Sequence, residues 1–162
     1  MQLVYMYMDS PVGALKLVAH DQALVAVMWD NEDHKRVRLA ELVEVRQHPI
    51  LHQVKQQLEQ YFAGQRQQFD LPLDFQGTAF QQQVWQALLT IPYGETRSYK
   101  EIAVQLGNEK AVRAVGAANG KNPISIIAPC HRVIGSSGAL VGFAGGLDKK
   151  QILLGLEQSQ TP

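Results

Sequence analysis

The apolar residues of this chain change their spacing along its length, and that change limits the folds open to it. Residues 3–8 are rich in strand formers, and Ser10-Pro11-Val12-Gly13 is turn chemistry. Residues 14–19 and 23–29 read as two further strands, split by His20-Asp21-Gln22. A small antiparallel meander accounts for all three. Residues 30–48 are charged and weakly patterned, with a short helix predicted near 35–43. From 49 to 62 the spacing becomes helical. Ile50, Leu51, Val54, Leu58, Tyr61 and Phe62 recur at helical spacing, Pro49 sits in the first turn, and Gly64 supplies the stop. A polar, then extended connector over 65–77 ends at Gly77, the predicted domain boundary.

Beyond Gly77 the signals are mostly helical. Thr78 with Gln81 fits a capping box, and Phe80, Val84, Ala87 and Leu88 line one face up to Thr90. Ile91-Pro92-Tyr93-Gly94 breaks that helix. Ser98 with Glu101 forms a second capping box for a short helix over 99–106. Gly107-Asn108-Glu109 is a tight turn, and a third helix runs over 110–119, closed by Gly120. Two short helices across a glycine-containing turn suit either a helix-turn-helix or an ordinary αα corner. A last helix is predicted over 149–157 with Ile152, Leu153 and Leu156 inward, after a short extended piece at 140–143 and a loop at 144–146. The expected fold class is α+β: a small N-terminal α/β domain with an antiparallel sheet (1–76), then a mostly helical C-terminal domain containing a helix-turn-helix (77–162).

The third helix offers little for reading base edges in a major groove, which takes long hydrogen-bonding side chains. It presents Ala111, Val112, Ala114, Val115, Gly116, Ala117 and Ala118, with Arg113 as the one large polar side chain among them. So small a face either docks in a minor groove with one inserted side chain or packs its alanines into the core.

Only one cysteine occurs in 162 residues, so an internal disulfide and a multi-cysteine metal site are excluded. It lies in Pro129-Cys130-His131-Arg132-Val133, after the apolar Ile124, Ile126, Ile127 and Ala128. A lone cysteine is either a buried structural thiol or a nucleophile. Proline before it limits backbone freedom, and histidine after it can take a thiol proton near neutral pH. A base matters because a thiol with the reference pKa of about 8.5 stays mostly protonated at pH 7.

Composition, at 46% apolar and 19% charged residues, excludes disorder. No apolar run approaches the ~20 residues of a membrane span, and the first residues lack a signal peptide's basic lead-in. A cytoplasmic protein with no membrane partner is expected. Net charge is zero but unevenly spread. Residues 1–75 carry 7 Lys/Arg against 10 Asp/Glu, and residues 76–162 carry 8 against 5. The basic second half either points to a polyanionic partner or is a chance partition of few charges.

The cysteine stretch, with Arg113-Ala114-Val115-Gly116 and Asn122-Pro123 before it, resembles the O6-alkylguanine-DNA alkyltransferases, the methylated-DNA–protein-cysteine methyltransferases. The resemblance takes in Gly77-Thr78-Ala79-Phe80-Gln81, Val84-Trp85, Ile91-Pro92-Tyr93-Gly94, Ser98-Tyr99 and the tail from Gly145-Gly146-Leu147 to Glu157. It is dense over 77–157 and looser over 1–76, where Tyr61-Phe62-Ala63-Gly64 fits the family's first domain.

That resemblance implies a single-turnover DNA repair protein that moves the alkyl group of O6-alkylguanine, and of O4-alkylthymine, irreversibly onto its own cysteine after nucleotide flipping. It implies Cys130 as acceptor, His131 as base acting through a water, Glu157 orienting His131, Asn122 bracing the turn behind the reactive loop, and Tyr99 protonating the leaving base. Arg113 would fill the gap left by the extruded nucleotide, with Lys110, Ala111, Val112, Ala114, Gly116 and Tyr99 along the DNA. Val133, Phe143, Ala144 and Gly145 would line the pocket. The partner implied is double-stranded DNA carrying O6-alkylguanine, held by its minor groove and bound by a monomer. No cofactor is implied. With no cysteine before residue 130, the structural zinc of some members is not expected. Phe143 and Ala144 stand where some members carry tyrosine and serine, which bears on the range of adducts accepted.

Three alternatives fit the residues less well. An alkyltransferase-like lesion binder lacks the cysteine that this chain has. A cysteine hydrolase needs a facing dyad, which residues adjacent in sequence rarely provide. A transcriptional regulator needs a richer recognition helix.

Overall fold

A computed structural model describes residues 2–33, 35–138 and 143–160. The N-terminal half is built on a four-stranded sheet in the order β3-β2-β1-β4, with β1 Leu3–Met8, β2 Leu15–Ala19, β3 Leu24–Trp29 and β4 Leu42–Glu44. The expected meander is present as β1–β2–β3, antiparallel throughout. β4 pairs parallel to β1 and makes the sheet mixed. No helix forms at 35–43. Its apolar residues Val37, Leu39 and Leu42 pack against the outer face of the sheet instead, 42–44 pair with β1, and Arg36 is drawn off by a bidentate pair with Glu32 and by the carbonyls of Gly120 and Asn122.

Helix α1, Pro49–Phe62, packs on the sheet through Leu51, Val54, Leu58 and Tyr61, none with exposed area. Burying a leucine-sized side chain contributes about 1.5–3 kcal/mol, so this face alone anchors the helix. The connector then runs along the free edge of β3, where Leu24 and Asp74 donate to the carbonyls of Pro72 and Leu24.

In the second half, α2 Ala79–Leu88 and α3 Tyr99–Gln105 each start with the expected capping box, Thr78/Gln81 and Ser98/Glu101. Helix α4 is Val112–Gly120, two residues later in starting than predicted, because residues 108–111 form a turn closed by the Ala111 N–H on the carbonyl of Asn108. Helices α3 and α4 pack together across the turn, and Trp85 of α2 donates its indole N–H to the carbonyl of Ala118 at 2.8 Å. A short 3-10 turn, Cys130–Arg132, leads into β6 Val133–Ile134, which pairs parallel to β5 Arg97–Ser98. Helix α5 is Leu147–Ser159. It buries Lys150, Leu153, Leu154 and Glu157, whereas Ile152, expected inward, is exposed. The expected extended piece at 140–143 falls, up to Phe143, outside the described residues.

One apolar core runs through both halves, from Met8 and Leu58 to Val115, Cys130 and Leu153. β3 is the seam. Val27 accepts from the backbone of Ser125 and donates to Pro123, so the approach to Cys130 is tied to the sheet edge by one parallel bridge at Ile124.

Candidate active site and nucleic-acid interface

The loop from Asn122 to Pro129 is fully buried and held from several directions. The Asn122 amide donates to the carbonyl of Ala128 at 2.8 Å and accepts from the N–H of Ile124 at 3.0 Å. It therefore closes the loop on itself, and its carbonyl receives Arg36 from the N-terminal half at 2.8 Å. Ile126 has φ 72°, a left-handed conformation that a β-branched side chain adopts only under constraint. The loop delivers Cys130 at the start of the 3-10 turn, 5% exposed.

Burial pushes the Cys130 thiol up, with hydrogen bonding from Asn122 and the charges of Arg36 and Lys150 working against that rise. Burial thus favours the protonated thiol over the thiolate at rest. No hydrogen bond joins Cys130 directly to His131 among the described residues.

His131 has no exposed area. Its Nε2 lies 2.7 Å from Glu157 Oε2, and since a carboxylate only accepts, Nε2 is the donor. The other ring nitrogen, Nδ1, is buried without a protein partner and is left as the acceptor in the neutral ring. Burial holds His131 below its ordinary pKa, and the nearby Arg132 and Lys150 charges add to this, against the pull of Glu157. Burial would raise the Glu157 carboxyl. The hydrogen bonds and charges of His131 and Arg132 outweigh it and hold Glu157 well below the carboxylate range. Arg132 binds Glu157 through Nε at 2.7 Å and Nη2 at 2.9 Å, and donates Nη1 to the carbonyl of Ile91. An imidazole fixed in this way can take a proton at Nδ1 and pass positive charge toward a carboxylate.

On the open side, Tyr99 is half-buried at the start of α3. Burial and the adjoining Cys130 raise its pKa, and Asn119 hydrogen bonding opposes this. Helix α4 divides cleanly. Val115, Ala118 and Asn119 are buried, while Arg113, Ala114 and Ala117 face solvent, with Lys110 exposed just before the helix. The alanines are thus split between the faces, Ala118 in the core and Ala114 and Ala117 toward solvent. Ala111 and Val112 are half-buried, and Gly116 faces the Tyr99 ring with room for a Cβ, which would sit 3.9 Å from it in ordinary contact.

Val133 is buried beside Cys130, and its carbonyl accepts from Lys150 Nζ at 2.6 Å. Phe143 packs edge-on to Trp29 at 5.7 Å. Gly145 lies so close to the Trp29 indole that a Cβ would come within 2.6 Å of it, so this position requires glycine. Ala144 is exposed. Among the described residues no group of three or more His, Cys, Asp or Glu could hold a metal ion, and no helix is long and apolar enough to cross a membrane.

The structure thus brings Cys130, Asn122, Tyr99 and Val133 together, with His131 and Glu157 behind them, and sets Arg113 apart on the outer face of α4. Sequence reasoning missed Arg36, Tyr61, Asn119 and Lys150 as parts of this assembly. Lys150 had a signal: it lies seven residues before Glu157, so both fall on the apolar stripe of one helix.

Residues 79–159 match the DNA binding domain of 6-O-methylguanine DNA methyltransferase, and residues 3–75 match that protein's ribonuclease-like domain. The methylated-DNA–protein-cysteine methyltransferase of Mycobacterium leprae is 52% identical over 94% of this chain and 91% of its own. The constitutive enzyme of that name from Bacillus subtilis is 46% identical over 95% and 94%. The crystal structure of Mycobacterium tuberculosis OGT in complex with DNA superposes with a TM-score of 0.89 at 48% identity, over 98% of this chain and 95% of that one.

Proposed function

The chain belongs to the 6-O-methylguanine DNA methyltransferase family, a family of DNA repair and DNA binding, and from that premise we propose how its residues divide the work. Its activity is that of a methylated-DNA–protein-cysteine methyltransferase. Cys130 is the acceptor. His131 Nδ1 removes the thiol proton through an intervening water, and Glu157 holds the imidazole in the tautomer that leaves Nδ1 free to accept. The thiolate sulfur attacks the alkyl carbon, a C–S bond forms, and the C–O6 bond breaks. The electron pair leaves with the guanine, which takes a proton from the Tyr99 hydroxyl. O4-alkylthymine reacts by the same displacement. The product is a thioether, which nothing in the site can cleave, so each molecule acts once.

A base stacked in duplex DNA is out of reach of a thiol 5% exposed, so the nucleotide is extruded, at a cost of a few kcal/mol. The exposed face of α4 lies in the minor groove as a monomer's single contact helix, with Arg113 entering the vacated stack and Lys110 on the backbone. Ala114, Gly116, Ala111 and Val112 permit the close approach. Val133, Phe143, Ala144 and Gly145 wall the pocket for the extruded base.

The observation that carries this reading is the placement of one cysteine beside a buried, carboxylate-locked histidine, with a small-residue helix and Tyr99 next to it. The test is mass spectrometry of the Cys130 peptide after incubation with an O6-methylguanine duplex. One methyl per protein on Cys130 is expected, with a plateau at one equivalent. Repeated turnover, or a methyl on another residue, would sink it. Cys130→Ser removes transfer and keeps salt-sensitive, weakly sequence-dependent binding.

A further inference from the structure

Glu157 is met from both halves of the molecule. Oε2 accepts from His131 Nε2 at 2.7 Å, Arg132 Nη2 at 2.9 Å and the Tyr61 hydroxyl at 2.6 Å. Oε1 accepts from Arg132 Nε at 2.7 Å and the N–H of Gly94 at 3.4 Å. Tyr61 comes from α1 in the N-terminal half, 96 residues away in sequence, and has no exposed area. Its ring is fenced by Phe62, Phe69 and Tyr93, with centroids 5.2, 5.6 and 6.2 Å away. A phenylalanine would satisfy this apolar setting, and burying a hydroxyl without a partner is costly.

We infer that Tyr61 is a positioning residue for the acid–base step: its hydroxyl holds the Glu157 carboxylate and sets how strongly that carboxylate pulls on the His131 proton. This rests on the proposed role of His131. A donor on Oε2 draws off part of the anion's charge and weakens its bond to the imidazole N–H, so His131 stays neutral and able to accept. Loss of the donor concentrates charge on that bond and makes the ring more basic. Every other charged or titratable group around this pair stays in place: Arg132 on the 3-10 turn, Lys150 on α5, Tyr93 in the 91–94 turn, and Cys130 itself. On this reading the N-terminal half, besides covering the core, tunes the chemistry of the other.

The test is the pH midpoint of His131, read by imidazole NMR in the full chain and by the acid limb of the transfer rate. In Tyr61→Phe both move upward, on the order of one pH unit. Replacing Tyr61 with 3-fluorotyrosine, a stronger donor with nearly the same packing, moves both downward. Opposite shifts in the two variants are the expected result. If neither variant moves the midpoint, or both move it the same way, Tyr61 is a packing residue and the inference is wrong. The fluorotyrosine arm decides if Tyr61→Phe does not fold. The NMR midpoint is read without alkyl transfer, so failure of wild type to methylate Cys130 would count against the proposed function and leave this result standing.

Discussion

The outer face of α4 and the cluster around Glu157 are built on opposite terms. The helix face is exposed and bears small side chains, with one long one, Arg113, and no side-chain cap. The cluster is fully buried. It gathers His131, Arg132 and Tyr61 about one carboxylate, from the 3-10 turn and α1 onto α5. A surface that must meet a large partner gains from being slim and unencumbered. A carboxylate that must stay ionised gains from burial among several donors. Substitutions on the helix face should therefore act on substrate engagement and leave stability alone, whereas those in the cluster should cost both.

Glu157→Gln is the severest test of that contrast. It leaves Arg132 buried without its counter-charge, a change that typically costs about 3–5 kcal/mol, and it unlocks His131. Transfer should fall by about 10²- to 10⁴-fold, the range supplied by a positioned acid or base. Urea unfolding and single-turnover kinetics read the two losses, and a stable, inactive variant would break the link between them.

Arg113→Ala sharpens the other side. Transfer from duplex DNA should drop about tenfold for each ~1.4 kcal/mol of lost extrusion support. Reaction with free O6-benzylguanine, which needs no flipping, should be unchanged, as should the melting temperature. Equal losses on both substrates in a folded variant would move Arg113 into the pocket chemistry.

Acid should destabilise the cluster and spare the helix face. His131 is held below its ordinary pKa, so its contribution is present above the unfolded value of about 6.5 and is lost as pH falls below it. Glu157 is also depressed, and its contribution is lost below about pH 4.3 as the unfolded carboxyl takes up its proton. Urea midpoints between pH 7.5 and 3.5 should decline across both ranges. Glu157→Gln should abolish the lower one.

The smallest effect is expected away from both regions. Thr78→Ala removes the cap of α2 and should cost about 1 kcal/mol in stability, with no change in transfer rate on any substrate.

Much of this was legible in one dimension. Strands β1 to β3, α1 and both capping boxes follow from side-chain period and local capping chemistry, which act over a few residues. The segment near 35–43 is not the helix its sequence suggests, because its structure depends on distant partners: β1 for pairing and the carbonyls of Gly120 and Asn122 for Arg36. Ile152 was placed inward because apolar character alone does not say which stripe of a short helix meets the core. The stripe actually used buries Lys150 and Glu157 beside Leu153 and Leu154.

By itself the sequence determined the reactive stretch, the family, and the small-residue character of α4, since all are contiguous runs whose chemistry is local. Tertiary structure decided which groups surround that chemistry. Tyr61 reaches Glu157 across 96 residues, Arg36 reaches Asn122 across 86, and Trp29 fixes Gly145 by contact alone. None of these pairs has a spacing rule that links it along the chain. Each exists because α1, β3 and α5 share one core, and a buried hydroxyl, guanidinium or carboxylate inside it must find a partner wherever the fold provides one.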